Sequence, residues 1–552
     1  DIDNFSVLKD ATATALYGSR AANGVILINT KSGKKNTLPV ISVSATGGAS
    51  SRAVKEYPFL NTQQHFEIAW EALKNHYGAA DPNAAQKATD NLIKSAFHYN
   101  PYNIPKPVEV DGKLAGGATP LWNTDWVKEL ERNNAKRMGV NLGIEGGTEK
   151  TKYFIGGEYL SQEGYIITSK YERVSARFNY TADLRDWLQL GVRSSIVSST
   201  QNFPDQGSGN YTDDIAYTRI LSSVFPLYER GENGELLLDA DGKPIYDFGN
   251  GDPNRTVNVN RLILTNTNNV ATTYLDPKSN KRLLVDLNIY AQIKLARGFS
   301  YKSSFGINRY LFNRQDHDNR EFGFATNVGG RTTRQSDLTT SYTWNNMVNY
   351  DKKFGDHSLS LMASYEAYKY KLESFSASKT GFPFGGLTEL NNAATNESIS
   401  GSTIDETLLS YLGRLQYNYK EKYFAEFTAR RDGSSRFAAN SRFGFFPAGG
   451  VSWLINRESF MKSFHAIDLL KLRGSYGVVG NNFLLSNSLP SYFPYLGTFS
   501  TGYDQLTDPG VYFTQLANED IKWEKQGNAD IGLDFELFTR RLTGSIDLFN
   551  KT

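Results

Sequence analysis

The sequence predicts an all-β protein, an antiparallel β-barrel that crosses a membrane. Three observations predict it: recurrent period-two alternation, connections that switch between short and long, and aromatic residues at strand ends. In the stretch Val174-Ser175-Ala176-Arg177-Phe178-Asn179-Tyr180-Thr181, the Val, Ala, Phe and Tyr share one face and the Ser, Arg, Asn and Thr the other. Leu283, Val285, Leu287, Ile289, Ala291, Ile293 and Leu295 make another apolar face, with Asp286, Asn288, Gln292 and Lys294 behind it. The pattern recurs over 299–308, 359–367, 409–419, 470–479 and 542–548. Side chains alternate along a strand, so each of these has one apolar and one wet side.

Some connections are turn-like: Asp183-Leu184-Arg185-Asp186, Ala296-Arg297-Gly298, Lys420-Glu421-Lys422 and Thr539-Arg540-Arg541. Others are long: 199–282, 372–406 and 480–528. Strands running up and down show this when every long loop lies at one end. Transmembrane barrels sort their loops that way, and soluble sandwiches and propellers have no reason to. Tyr171 and Tyr180, Phe299 and Tyr310, Tyr342 and Tyr350, and Tyr411 with Tyr417 and Tyr419 fall where interfacial girdles would lie.

Composition agrees. The 33 Phe, 32 Tyr and 7 Trp suit pleated, half-buried surfaces, and the 48 Gly suit tight turns. A net charge of +2 gives no global basic field for nucleic acid. The absence of Cys removes disulfides, thiolate metal sites and cysteine nucleophiles together. No apolar run approaches the ~20 residues that a membrane helix needs. Asp1-Ile2-Asp3-Asn4 has no basic start or apolar stretch, so a secreted protein would need its signal upstream.

Along the chain, Val7-Leu8 ends a strand-like run, and Asp10 can cap a helix from Ala11 to Tyr17. Gly18 supplies the left-handed cap, and Asn23-Gly24 turns the chain into a strand, Val25 to Thr30. A strand over 40–46 follows. Phe66, Ala69, Trp70 and Leu73 then sit at helical spacing within 61–77, closed by Gly78, and a second helix carries Ala88, Leu92 and Ile93. Both precede the next strand, 140–145, so they belong to a long outer loop. Packing on that loop is the default expectation, and a docking surface for a partner is the sharper one.

These residues resemble a known family. Val7-Leu8-Lys9-Asp10-Ala11-Thr12-Ala13-Thr14-Ala15-Leu16-Tyr17-Gly18-Ser19-Arg20-Ala21-Ala22-Asn23-Gly24-Val25-Ile26 resembles the end of the plug domain in SusC/RagA-type TonB-dependent transporters. Asp10, Gly18, Arg20, Asn23 and Gly24 carry that motif, and Ala21 stands where Gly is expected. Tyr411-Leu412-Gly413-Arg414, Arg430-Arg431-Asp432-Gly433-Ser434-Ser435-Arg436-Phe437, Phe443-Gly444-Phe445-Phe446-Pro447, Leu472-Arg473-Gly474-Ser475-Tyr476-Gly477 and Ile521-Lys522-Trp523-Glu524-Lys525 also resemble family positions, in the family's order.

The resemblance implies a plug end over 1–36 and a barrel over 37–552. It implies active import of a glycan or peptide across a bacterial outer membrane, driven by the TonB complex through an upstream segment. A SusD-like surface lipoprotein would be the partner. Such transporters have about 22 strands; about fifteen are countable here, so the expected barrel is incomplete at the C-terminus. The alternative is a passive porin or adhesin-type barrel, which needs no plug.

No enzyme motif is present: no Gly-x-Ser-x-Gly elbow, no His-Glu-x-x-His, no Walker loop. The expectation is a non-enzyme without metal or cofactor. Gly207-Ser208-Gly209 lacks the third glycine of a dinucleotide site. Asp239-Ala240-Asp241-Gly242 reads as a hairpin turn rather than a calcium loop, and His65 and His76 share a helix without a third ligand. Arg430, Arg431 and Arg436, around Asp432-Gly433, are expected at a solvated rim. Tyr211, Tyr246, Tyr492, Phe493 and Tyr495 could stack on sugars, with loop packing as the default. The substrate stays unassigned by sequence; neighbouring glycosidase genes would indicate a glycan and peptidase genes a peptide.

Overall fold

The computed structural model describes residues 2–8, 18, 24–54, 56–205, 213–251, 258–486, 489–505 and 508–552. Ile2–Leu8 (β1) and Val25–Thr30 (β2) pair as a small antiparallel ribbon. The expected helix over 11–17, with Asp10, Arg20 and Asn23, lies outside the described residues, as do 207–209 and Tyr211.

Fifteen strands form one antiparallel sheet, matching the count expected from sequence. They begin with β3 (Thr37–Ser50), β4 (Ala135–Gly147), β5 (Thr151–Glu163), β6 (Lys170–Arg185), β7 (Leu188–Asn202) and β8 (Lys278–Lys294). Next come β9 (Phe299–Asp318), β10 (Arg331–Phe354), β11 (His357–Thr380), β12 (Thr395–Tyr419) and β13 (Tyr423–Ser434). After β14 (Phe443–Leu454) and β15 (Ile467–Asn481), two side hairpins intervene: β16 (Leu485–Ser486) with β17 (Leu489–Pro490), and β18 (Thr498–Gln505) with β19 (Asp508–Gln515). The sheet ends with β20 (Glu524–Leu537) and β21 (Leu542–Lys551). Each strand pairs with its neighbours along the chain, and β3 and β21 are the two edges.

Connections at one end are tight: 148–150, 186–187, 295–298, 355–356, 420–422 and 538–541. Lys420 and Glu421 both take left-handed backbone (φ 54° and 50°), whose twist matches that of a tight hairpin. The connections at the other end are 51–134, 164–169, 203–277, 319–330, 381–394, 435–442 and 482–523. Sorting by end therefore holds with two departures: 164–169 is short for the long end, and 455–466 is long for the short end. One boundary needs correction. Of the stretch 372–406 read as a loop, only 381–394 is one, because β11 and β12 run far past the membrane-crossing part. Its Ser- and Thr-rich outer half lacks the apolar face that reveals a strand.

The burial pattern is inverted relative to a soluble sheet. Val174, Phe178 and Tyr180 are exposed while Asn179 and Thr181, on either side of Tyr180, are buried. Val451 is 65% exposed whereas Thr428, on the polar face of β13, is 0%. A face this apolar, continuous and solvent-bare is what lipid contact requires, and strand pairing satisfies the backbone of every strand between the two edges.

Most of the expected girdle residues lie on that apolar face. A belt of rings runs near the tight turns: Phe299 against Tyr350 (4.5 Å), Phe354 against His357 (5.2 Å), and His357 against Tyr419 (4.8 Å). Nearer the long-loop end, Trp344 meets Tyr365 (6.2 Å), which meets Tyr411 (5.6 Å). Tyr171 and Tyr310 are corrections: by strict alternation with Tyr180 and Phe299 they fall on the polar face.

The large apolar core lies outside the sheet, where 51–134 and 203–277 fold on each other. It contains α1 (Thr62–Tyr77), α2 (Ala84–Leu92), α3 (Trp126–Leu130), α4 (Asp214–Ile220) and α5 (Asn269–Leu275). Asn61 caps α1 with a full capping box to Gln64, and Gly78 ends it at φ 90°. Phe66, Trp70, Leu92 and Tyr99 of the first loop pack with Tyr217, Val224 and Phe225 of the second. So α1 does pack on its own loop, and on a second loop that sequence did not connect to it.

Candidate functional site

Two linked buried clusters lie along the polar face of the sheet, one on β13 and one just beyond its end, both drawn from the Arg430-to-Phe437 motif. Alternation puts Arg430, Asp432 and Ser434 on that face. Arg430 Nε donates to both Asp432 oxygens (2.7 and 3.0 Å), and its Nη2 donates to Ser410 Oγ on β12 (3.0 Å). Gly18 sits directly on this pair. Its backbone is left-handed (φ 62°), and a Cβ there would lie 2.6 Å from Asp432 Oδ2 and overlap the Arg430 guanidinium. Only glycine fits on both counts. Further along, Asn179 Nδ2 on β6 donates to the Lys31 carbonyl (2.7 Å), and Lys35 pairs with Asp183. Gly18, Lys31 and Lys35 are thus each held against the polar wall.

The second cluster lies above. Arg436 donates two hydrogen bonds to Glu406 (Nε to Oε1 and Nη2 to Oε2, both 2.9 Å) and one to the Ser491 carbonyl (3.3 Å). Tyr492 covers its guanidinium at 4.4 Å and Phe483 at 5.7 Å. Asn482 Nδ2 bridges Glu406 (3.2 Å) and Ser434 (3.1 Å). Phe437, fully buried, packs on Trp523 (5.1 Å), whose indole N–H donates to the Arg442 carbonyl (2.9 Å). The 482–523 loop is therefore clamped to the wall at both ends.

These contacts overturn the reading of a solvated rim. Arg430 and Arg436 are each 5% exposed, Asp432-Gly433 lies within β13 rather than in a turn, and only Arg431 faces outward, over the Phe443 ring (4.6 Å). Sequence missed Glu406, Ser410, Asn482 and Ser491. Glu406, Asn482 and Ser491 stand in or beside stretches read as loops, and no local pattern marks their meeting. Gly18 and Gly24 both take positive φ as expected (62° and 92°).

Other candidates resolve individually. Asp239–Gly242 is a hairpin turn: Asp239 N–H donates to Lys243 O (2.8 Å) and Gly242 N–H to Asp239 O (3.0 Å). His65 turns toward Phe97 and His76 toward Tyr77, so the two do not converge. Tyr246 packs on Tyr228 (4.9 Å) and Tyr492 on Arg436, while Phe493 stays exposed.

Where the second long loop rejoins the wall, carboxylates are buried. Asp214 accepts from Asp205 N–H (2.9 Å) and Asn269 Nδ2 (3.0 Å), and Asp276 accepts twice from Asn319 (2.8 and 2.7 Å). Lys278 bridges Asp205 (2.7 Å) and Asp318 (3.0 Å). Burial, with Asp205 adding repulsion, pushes Asp214 up to about 7, and burial pushes Asp276 to about 7. Both folded values exceed the unfolded one, so the folded loop binds protons more tightly. The contribution of these two carboxyls to its stability is full below the unfolded value near 3.8 and is lost as pH rises through about 7. Protection factors of α4 and α5 amides should therefore be higher at about pH 5 than at about pH 8. An unchanged pH dependence in the Asp214→Asn, Asp276→Asn double variant would refute this.

A family model described as TonB dependent receptor-like, beta-barrel, matches residues 231–552. TonB-dependent receptor P3 of Formosa agariphila is 30% identical across 100% of this chain, which covers 48% of that protein. TonB-dependent receptor SusC of Bacteroides thetaiotaomicron is 27% identical, again across the whole chain and 50% of its own length. The chain spans about half the length of the curated relatives it matches. Among solved structures, the RagAB peptide transporter superimposes with a TM-score of 0.75 at 21% identity, over 100% of this chain and 58% of that one. That likeness is one of fold.

Proposed function

Since the chain belongs to the TonB-dependent receptor-like β-barrel family, whose SusC/RagA-type members are outer-membrane proteins, we propose that it serves active import of a glycan or peptide. In this reading residues 1–36 are the end of a plug and 37–552 the barrel wall. A SusD-like lipoprotein caps the long-loop end, and the TonB complex supplies energy from below. The observation that supports it is the seating of Gly18 on Arg430 and Asp432 and of Lys31 on Asn179, both against the polar wall, since a passive pore has no use for an obstruction there.

The test uses the full-length protein in its own envelope. Uptake of the labelled nutrient should stop when the proton gradient is dissipated, and purification in mild detergent should recover one abundant lipoprotein. Uptake that continues down a concentration gradient without energy would favour a passive pore.

A further inference from the structure

The apolar face of β9–β12 can be followed row by row, because directly opposed residues share a face. Near the tight turns, Lys352 stands opposite Leu359. The next row outward is Phe299, Tyr350, Leu361 and Leu415. From there this face is uncharged on all four strands until the row of Ile307, Tyr342, Lys369 and Thr407. One row further, Arg309, Thr340, Lys371 and Asp405 stand side by side. From Lys352 to Thr340, β10 climbs about 30 Å along the membrane normal at ~3.4 Å per residue and ~40° tilt, close to one hydrocarbon thickness. The cations therefore lie at headgroup height on the long-loop side.

Their pairing is uneven. Lys371 is held by Glu373 (2.8 Å) and Lys369 lies 3.8 Å from Asp405. Arg309 is exposed and has no ion pair or hydrogen bond among the described residues. Thr340 places a hydroxyl between Arg309 and Lys371, whose strands are about 10 Å apart. A planar guanidinium, a hydroxyl and an ammonium in one row match the donor needs of a phosphate monoester.

We propose that Arg309, Thr340 and Lys371 form a binding site for a phosphate of a phosphorylated glycolipid of the outer leaflet. The bound lipid would lay its acyl chains over Tyr342 and Trp344 below. This rests on the reading that the face meets lipid with the long loops outward.

Full-length protein in nanodiscs would be titrated with diphosphorylated lipid A and with its dephosphorylated form, and bound lipid counted by native mass spectrometry. The phosphorylated form should bind better, and the Arg309→Gln, Lys371→Gln double variant should lose about thirtyfold of that preference, as two headgroup-facing cations are removed. Arg309→Lys with Lys371→Arg should keep it, and Lys352→Gln should not change it. Equal binding of the two lipids, or no loss in the double Gln variant, overturns the site. Brominated acyl chains separate that failure from failure of the membrane reading. They should quench the part of the fluorescence that Trp344→Phe removes, and absence of quenching overturns the membrane face itself.

Discussion

Replacing Glu406 by Leu should cost about 3–5 kcal/mol and release the 482–523 loop from the wall. The reason is asymmetry. Glu406 and Arg436 are both largely buried, and among the described residues Glu406 supplies the only carboxylate that Arg436 contacts. Removing it leaves a guanidinium under Tyr492 and Phe483 with, among the described residues, only the Ser491 carbonyl as acceptor. Asn482 loses one of its two acceptors at the same time. Protease nicking within 482–523 and loss of amide protection there would report the release. The double variant Glu406→Leu, Arg436→Met removes both charges and should recover most of the loss, since a buried pair replaced by apolar groups of similar volume is often near neutral. A single variant as protected as the parent would show that the clamp is not where the loop's order resides.

Placing Arg at Leu287 or Ile289 should cost about 2–4 kcal/mol if those positions face mid-membrane. Ile289 is 48% exposed on the apolar face of β8, opposite Phe305 and Val192. Asn288 points the other way. Arg there should cost under about 1 kcal/mol even though Arg193 is directly opposite, because a wet face screens like charges. Denaturant unfolding of the full-length protein in detergent or lipid measures both. Equal costs at 288 and 289 would refute the assignment of faces.

Much of the wall was legible in the sequence, for one reason. A strand between lipid and water must alternate with period two, and hairpins that return across a membrane must put their loops at the ends. Strand positions, the count of fifteen, α1 with its caps and the left-handed Gly18 and Gly24 all follow from such local rules. The misreadings share a cause as well. The outer halves of β11 and β12 have no lipid beside them, so nothing demands an apolar face, and they read as loop. Nearness to strand ends suggests a girdle position for Tyr171 and Tyr310, but parity puts them on the polar face.

The sequence by itself therefore determined the class of the protein, its register of faces and the residue types of the Arg430-to-Phe437 motif. Only the tertiary structure decided what that motif does. Arg430 meets Gly18 from more than four hundred residues earlier, and Arg436 meets Glu406 and Tyr492 from strands and loops on either side of it. Ion pairs and close packing depend on distances between segments remote in the chain, which periodicity does not encode. A buried arginine and a solvated one look alike until the fold brings, or fails to bring, a carboxylate to within about 3 Å.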